Sequence, residues 1–248
     1  MEIELDGRWA IMGKIHGGYL LREIVTPLLT EAHPHPFAVS ATFVRSPDGG
    51  AATVESETLR VGRRVSQHRA RLSQGGQVCV EVLVTTGRHD PASVPFWGRH
   101  EAPALADPEG CERAPAEPVP GIRVGHLDFV EARWDPAKAL AGSMEKSEGQ
   151  IACWLRMDGR ETTVADLLVL ADAMPPVTLD MGLEGWVPTL ELSVLVRDLP
   201  APGWLIAEQR ARLMQDGWLD EECDIWDARG RLVVQARQLA GFRAPEKS

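Results

Sequence analysis

No two cysteines of this chain stand close together in sequence. Its four cysteines, Cys79, Cys111, Cys153 and Cys223, are spread over both halves, without a CxxC pattern and without a His/Cys cluster of zinc-ligand spacing. No apolar run approaches the ~18 residues a membrane-spanning helix needs. The N-terminus, MEIELDGRWA, is acidic and lacks the apolar core of a signal peptide. Positive charge is also short: 26 Lys and Arg stand against 36 Asp and Glu, a net charge of −10. That balance disfavours nonspecific binding to DNA or to an anionic membrane surface, since both are polyanions, but it allows a local basic patch for a small anion. His100 opens HEAPAL, which begins like a zinc-protease helix but has no second histidine. The expectation is a soluble, cytoplasmic protein with reduced thiols and neither a metal nor a redox cofactor.

What is present suffices for a packed core: 44% of residues are hydrophobic and 25% charged, as in globular proteins. The length fits one large domain or two units of roughly 110–125 residues each. Ten residues match without a gap at an offset of 152, Pro36–Arg45 (PFAVSATFVR) and Pro188–Arg197 (PTLELSVLVR). A duplicated unit follows, and its copies can be compared. Thr189 stands against Phe37, and Gln238 against Leu83 at offset 155. Polar chemistry in one copy alone implies one working site, in the second half.

Gly17-Gly18 opens an apolar stretch, Tyr19 to Leu29, in which Leu20, Leu21, Ile24 and Leu28 recur at helical spacing. Strand patterns follow at 38–44, 51–61, 65–72 and 78–86, the last two joined by the hairpin signal Gly75-Gly76. Residues 89–121 are rich in Pro, Ala, Glu and Gly and read as a linker between an N-terminal unit (1–88) and a C-terminal unit (122–248). The second unit predicts strands at 124–130 and 150–156. A helix is expected from Thr163 to Ala173, with Thr162 or Thr163 as N-cap and Pro175-Pro176 as the stop. Strands follow from Thr189, Trp204, Glu222 and Arg231. Gly203 stands where Gly50 stands. Helix plus long antiparallel strands, twice, is an α+β pattern.

These segments together resemble the TesB-like acyl-CoA thioesterases: HGGYL at His16, LRVGRR at Leu59, LADAMPP at Leu170, PTLELSV at Pro188 and RQLAGFR at Arg237. No one segment is specific; their order and spacing carry the resemblance, which covers the chain apart from the linker. It implies a tandem (double) hotdog, two helices each wrapped by an antiparallel sheet, with the sheets joined edge to edge. It implies an acyl-CoA substrate, hydrolysed by a water that an Asp, a Thr or Ser, and a Gln hold. Those roles carry over to Asp172, Thr189 and Gln238. Hotdog units bury sheet edges by association, so a homodimer or higher assembly is expected.

The residue types suit thioester hydrolysis, which needs an activated water and donors facing the developing oxyanion. Asp172 can take or orient the water's proton. An acid at a helix C-terminus opposes the helix dipole, which favours a functional reading over an ordinary surface one. Thr189 and Gln238 also fit plain strand positions. Gly17 and Gly18 would let a substrate approach helix N–H groups. His16 beside them is a further candidate for substrate contact. Arg60, Arg63 and Arg64 form a basic cluster suited to the CoA phosphates, or else a solvated strand edge. Two other readings stand beside hydrolysis. A non-catalytic acyl-CoA or acyl-carrier binding module would bind without turnover. A hotdog enoyl-CoA hydratase would need a paired Asp and His, and no histidine lies within ten residues of Asp172 in sequence.

Overall fold

The computed structural model describes residues 1–98, 101–138 and 140–244; His100 lies outside them. The first half contains β1 (Glu2–Leu5), the small hairpin β2 (Ala10–Ile11) and β3 (Lys14–Ile15), and helix α1 (Gly17–Val25). It continues with β4 (His35–Phe43), β5 (Gly50–Val61), β6 (Val65–Gln74) and β7 (Gln77–Gly87). The second half contains β8 (Glu112–Arg113), β9 (Val130–Trp134), β10 (Gln150–Met157) and helix α2 (Leu167–Leu170). It ends with β11 (Thr189–Val196), β12 (Leu205–Gln215), β13 (Trp218–Trp226) and β14 (Leu232–Gly241). One twelve-stranded sheet runs in the order β1-β5-β6-β7-β4-β11-β14-β13-β12-β10-β9-β8. The halves join at the antiparallel pair β4–β11, edge to edge as the resemblance implies.

Helix α1 packs on β4 and β6 of its half-sheet and against α2. Leu20, Leu21, Ile24 and Val25 of α1 are buried, and so is every residue of α2, Leu167 to Leu170. Burying each such Leu contributes about 1.5–3 kcal/mol. The helices meet at Gly18, where a Cβ would stand 2.5 Å from the Leu168 carbonyl oxygen. Only glycine permits that approach.

Four segments differ from the sequence pattern, for local reasons. Helix α1 ends at Val25 and tightens into a 3₁₀ turn, Thr26–Leu28, because Pro27 cannot continue an α-helix. Helix α2 is one turn long rather than spanning 163–173. At its start Thr163 caps the Asp166 N–H while its own N–H and hydroxyl donate to the Asp166 carboxylate, fixing a turn. At its end the bonds shorten to i→i−3, Asp172 N–H to Val169 O and Ala173 N–H to Leu170 O, ahead of Pro175. The expected strand at 124–130 is instead a 3₁₀ turn, Gly125–Asp128, with Gly125 packed against the backbone of Arg8 and Ala10. The stretch read as linker carries a 3₁₀ turn at Pro108–Gly110 and strand β8, which pairs with β9, so the second half-sheet begins before residue 122.

The ladder corrects the internal alignment by one residue. On the seam, Ser40 pairs with Ser193, Ala38 with Leu195 and Thr42 with Glu191. These pairs interchange under a two-fold axis through Ser40–Ser193, which sets the offset at 153, not 152. At that offset the β-bulges coincide, Phe37 with Leu190, and so do the positive-φ glycines Gly50 and Gly203. At 152 the exposed Ser40 would match the buried Leu192, and a one-residue slip turns every side chain to the wrong face. Thr189 therefore corresponds to Pro36. Gln238, which pairs with Leu192, corresponds to Val84, which pairs with Val39. Both counterparts are still apolar, so the asymmetry between the halves survives the correction.

Candidate active site

Asp172 lies just past α2, where the helix has narrowed to 3₁₀ geometry, and its side chain is 16% exposed. Its Oδ2 accepts the Gly18 N–H at 2.8 Å. The carboxylate of one half is thus held by the helix N-terminus of the other, where orphan N–H groups favour an anion. His16 caps the same helix. Its Nδ1 accepts the Tyr19 N–H, so the ring proton sits on Nε2, which donates to the Asp172 backbone oxygen at 2.9 Å.

Thr189 opens β11, and Gln238 lies on the adjoining β14. The Thr189 hydroxyl donates to Gln238 Oε1 at 2.7 Å. Gln238 Nε2 donates to Glu221 Oε2 at 2.6 Å. Glu221, on β13, is only 1% exposed and also accepts from Gln209 Nε2 at 2.9 Å and from the Val177 N–H at 2.6 Å. Burial pushes the Glu221 carboxyl above the usual carboxylate range. The donors from Val177, Gln238 and Gln209 pull it back, and the charge on Asp172 adds a smaller upward push.

The segment from Asp172 to Val177 is clamped from both sides. His16 of the first half holds the carbonyl oxygen of Asp172, and His126 of the second half, its ring beside that of His16, holds that of Ala173. Gln209 reaches the Pro175 oxygen at 3.4 Å, and Glu221 takes the Val177 N–H, from the sheet side. Burial, with the neighbouring His16, holds the His126 imidazole well below the usual histidine range. Among the described residues no direct hydrogen bond joins Asp172 to the Thr189–Gln238 pair.

The other candidate residues divide. Gly17, at the first helical position, faces Asp172: a Cβ there would lie 2.9 Å from Oδ2. The Gly18 N–H is engaged by Asp172, so it supports the carboxylate rather than awaiting a substrate oxygen. His16 is 3% exposed, and its nitrogens are bonded to the Asp172 backbone oxygen and the Tyr19 N–H. Arg60, Arg63 and Arg64 are exposed near the β5–β6 turn. That turn adjoins the start of β4, through the pairs Val65–Gly87 and Gly87–His35, whereas Phe43 at the far end of β4 touches the Gly17 side. Eight residues of strand at about 3.3 Å each put the cluster roughly 25 Å from the site. The three arginines border the first-half counterpart of the site instead.

Glu221, Gln209 and His126 were not among the candidates. The signal for two of them is in the strand alternation: Leu219, Glu221, Cys223 and Ile225 form the buried phase of β13, and Leu205, Ala207 and Gln209 that of β12. A carboxylate or amide in an apolar phase marks a buried polar site. His126 gives no such signal, because its strand-like context folds as a turn.

The acyl-CoA thioesterase N-terminal domain family matches residues 5–87, and the acyl-CoA thioesterase C-terminal domain family matches residues 108–242. An uncharacterized protein of Mycobacterium tuberculosis is 30% identical over 262 residues, covering 96% of this chain and 89% of that one. Among solved structures, a candidate thioesterase II from Thermobifida fusca is 30% identical with a TM-score of 0.87, covering 98% of this chain and 92% of that one. A hot dog fold protein of unknown function from Alicyclobacillus acidocaldarius, 18% identical with a TM-score of 0.83, covers 98% of this chain and 93% of that one and shows the shared fold. Through both of its halves, this chain belongs to the acyl-CoA thioesterase family and has the double hotdog fold.

Proposed function

We propose that this protein hydrolyses an acyl-CoA thioester to the free acid and CoA, with one site per chain, built around Asp172, Thr189 and Gln238. The observation that carries this reading is the asymmetric polar set: a partly open Asp172 anchored on the Gly18 N–H, beside a bonded Thr189–Gln238 pair whose counterparts in the first half are Pro36 and Val84. A water between Asp172 and Thr189 gives its proton to Asp172 as its oxygen attacks the carbonyl carbon. The carbonyl oxygen gains the negative charge, and we assign the Gly17 N–H, at the first helical position of α1, as its donor. Collapse of the tetrahedral intermediate expels the CoA thiolate, which takes the proton that Asp172 received from the water and so restores the carboxylate. A hydratase would need a histidine free to exchange a proton; His16 reaches Asp172, but both of its ring nitrogens are engaged.

Free-thiol release from a panel of acyl-CoAs, short, long and aromatic, tests the reading. Turnover supports it; acyl-CoA binding without turnover on any substrate would replace it with a binding module. Thr189→Ala and Gln238→Ala should each lower kcat by about 10-fold to 100-fold. Because the two side chains act through one bond, the double variant should be no worse than the weaker single; multiplied losses in a kinetic cycle would separate their roles. Arg63→Ala should leave KM for acyl-CoA within about twofold, since the hairpin tip is remote from the site in one chain. A several-fold rise in KM would mean that the tip reaches CoA across a second copy.

A further inference from the structure

We infer that Glu221 is a positioning residue for the hydrolysis, setting the direction of the hydrogen bonds that aim the attacking water. The inference rests on the thioesterase reading above. Glu221 touches no substrate; it acts through Gln238.

The geometry at Glu221 admits one polarity. Its two oxygens meet only nitrogen donors: the Val177 N–H on Oε1, and Gln209 Nε2 and Gln238 Nε2 on Oε2. A backbone N–H cannot accept, and an amide nitrogen cannot accept, so the ionised carboxylate is the form that satisfies all three. An Asn or Gln amide is otherwise free to present either end. Here the carboxylate removes the choice: Gln238 must turn Nε2 toward Glu221 and Oε1 toward Thr189. The Thr189 hydroxyl must then donate to Oε1, at 2.7 Å, and keeps only lone pairs for anything on its other side. A water beside Thr189 can therefore only donate to it. With its second hydrogen on Asp172, that water has a lone pair left for the thioester carbon.

The internal repeat supports a functional role over a packing one. A carboxylate at 1% exposure is costly to bury and is poor packing material. In the first half the corresponding chain is absent: Glu221 corresponds to His68, Gln238 to Val84, Thr189 to Pro36 and Gln209 to Ser56. His68 instead meets the hydroxyls of Thr58 and Thr86. The same sheet position is thus filled without a carboxylate where no water has to be aimed.

The test is Glu221→Gln, measured alone and in the Gln238→Ala background. Gln keeps the shape but can present either a donor or an acceptor, so the Gln238 amide is free to flip. The expected result is a fall in kcat of about 10-fold or more with KM within twofold, and no further loss when Glu221→Gln is added to Gln238→Ala. Thermal unfolding of both proteins guards against a general loss of structure. Losses that multiply across the cycle, or a Glu221→Gln enzyme with wild-type kcat, overturn the inference while leaving the thioesterase reading intact. A wild type that turns over no acyl-CoA overturns that reading, and the inference with it.

Discussion

Asp172→Asn should reduce thiol release by about 100-fold or more in kcat, with KM little changed, because the variant keeps the shape and loses the proton acceptor. The amide oxygen of Asn can still accept the Gly18 N–H that now meets Oδ2 at 2.8 Å. His16 Nε2 meets the backbone oxygen of residue 172 at 2.9 Å and the carboxylate only at 3.6 Å, so the main contact does not involve the side chain. The fold should therefore hold, and the thermal midpoint should stay within a few degrees of wild type. Thiol release at the wild-type rate from a correctly folded Asp172→Asn protein would remove the carboxylate from the chemistry and with it the placement of the site. A parallel collapse of activity and thermal midpoint would give Asp172 a structural role in clamping α2 to α1.

The larger part of this architecture was legible in the chain. Gly75-Gly76 gives a hairpin whose glycines both take positive φ, and the long alternating runs are strands within a few residues of their expected ends. Asp172, Thr189 and Gln238 carry over from the family resemblance, and the apolar first-half counterparts of Thr189 and Gln238 support that choice with or without the one-residue error in the offset. The error itself has a physical cause. The gapless match Pro36–Arg45 on Pro188–Arg197 scores residue identity, whereas the β-bulges at Phe37 and Leu190 and the facing of Ser40 and Ser193 fix the register. His16 and Gly18 were singled out from sequence, but for contact with substrate. Their true contact is Asp172, more than 150 positions away, and no local pattern encodes a bond made across a helix pair. Arg60, Arg63 and Arg64 show the converse: clustered in sequence and chemically apt, they lie at the end of the strands away from the Gly17 side of the same chain.

The glycine pair at the start of α1 should separate stability from activity. At Gly18 a Cβ would stand 2.5 Å from the Leu168 carbonyl oxygen and 2.9 Å from Val169 Cα, both of them backbone atoms of α2. Backbone cannot swing aside, so Gly18→Ala must push the two helices apart; overpacking of this kind costs about 1–3 kcal/mol or more. The helix propensity that Ala gains, up to about 1 kcal/mol, offsets only part of that. Thermal unfolding should show a midpoint lowered by several degrees, at roughly 2–4 °C per kcal/mol for a chain of this size. At Gly17 the same Cβ would meet Asp172 Oδ2 at 2.9 Å and the Phe43 ring at 3.0 Å. Those are side-chain atoms, which can yield. Gly17→Ala should therefore unfold close to the wild-type temperature, while the displaced carboxylate loses its aim on the water. A shift of about 1 Å in such a group can lower the rate by as much as 10²-fold, so a loss of tenfold or more in kcat is expected. Equal losses of stability in the two variants would show that the helix contact, not the placement of Asp172, is what both glycines serve. A stable and fully active Gly17→Ala would mean that the carboxylate works from a position other than the one it takes against Gly18.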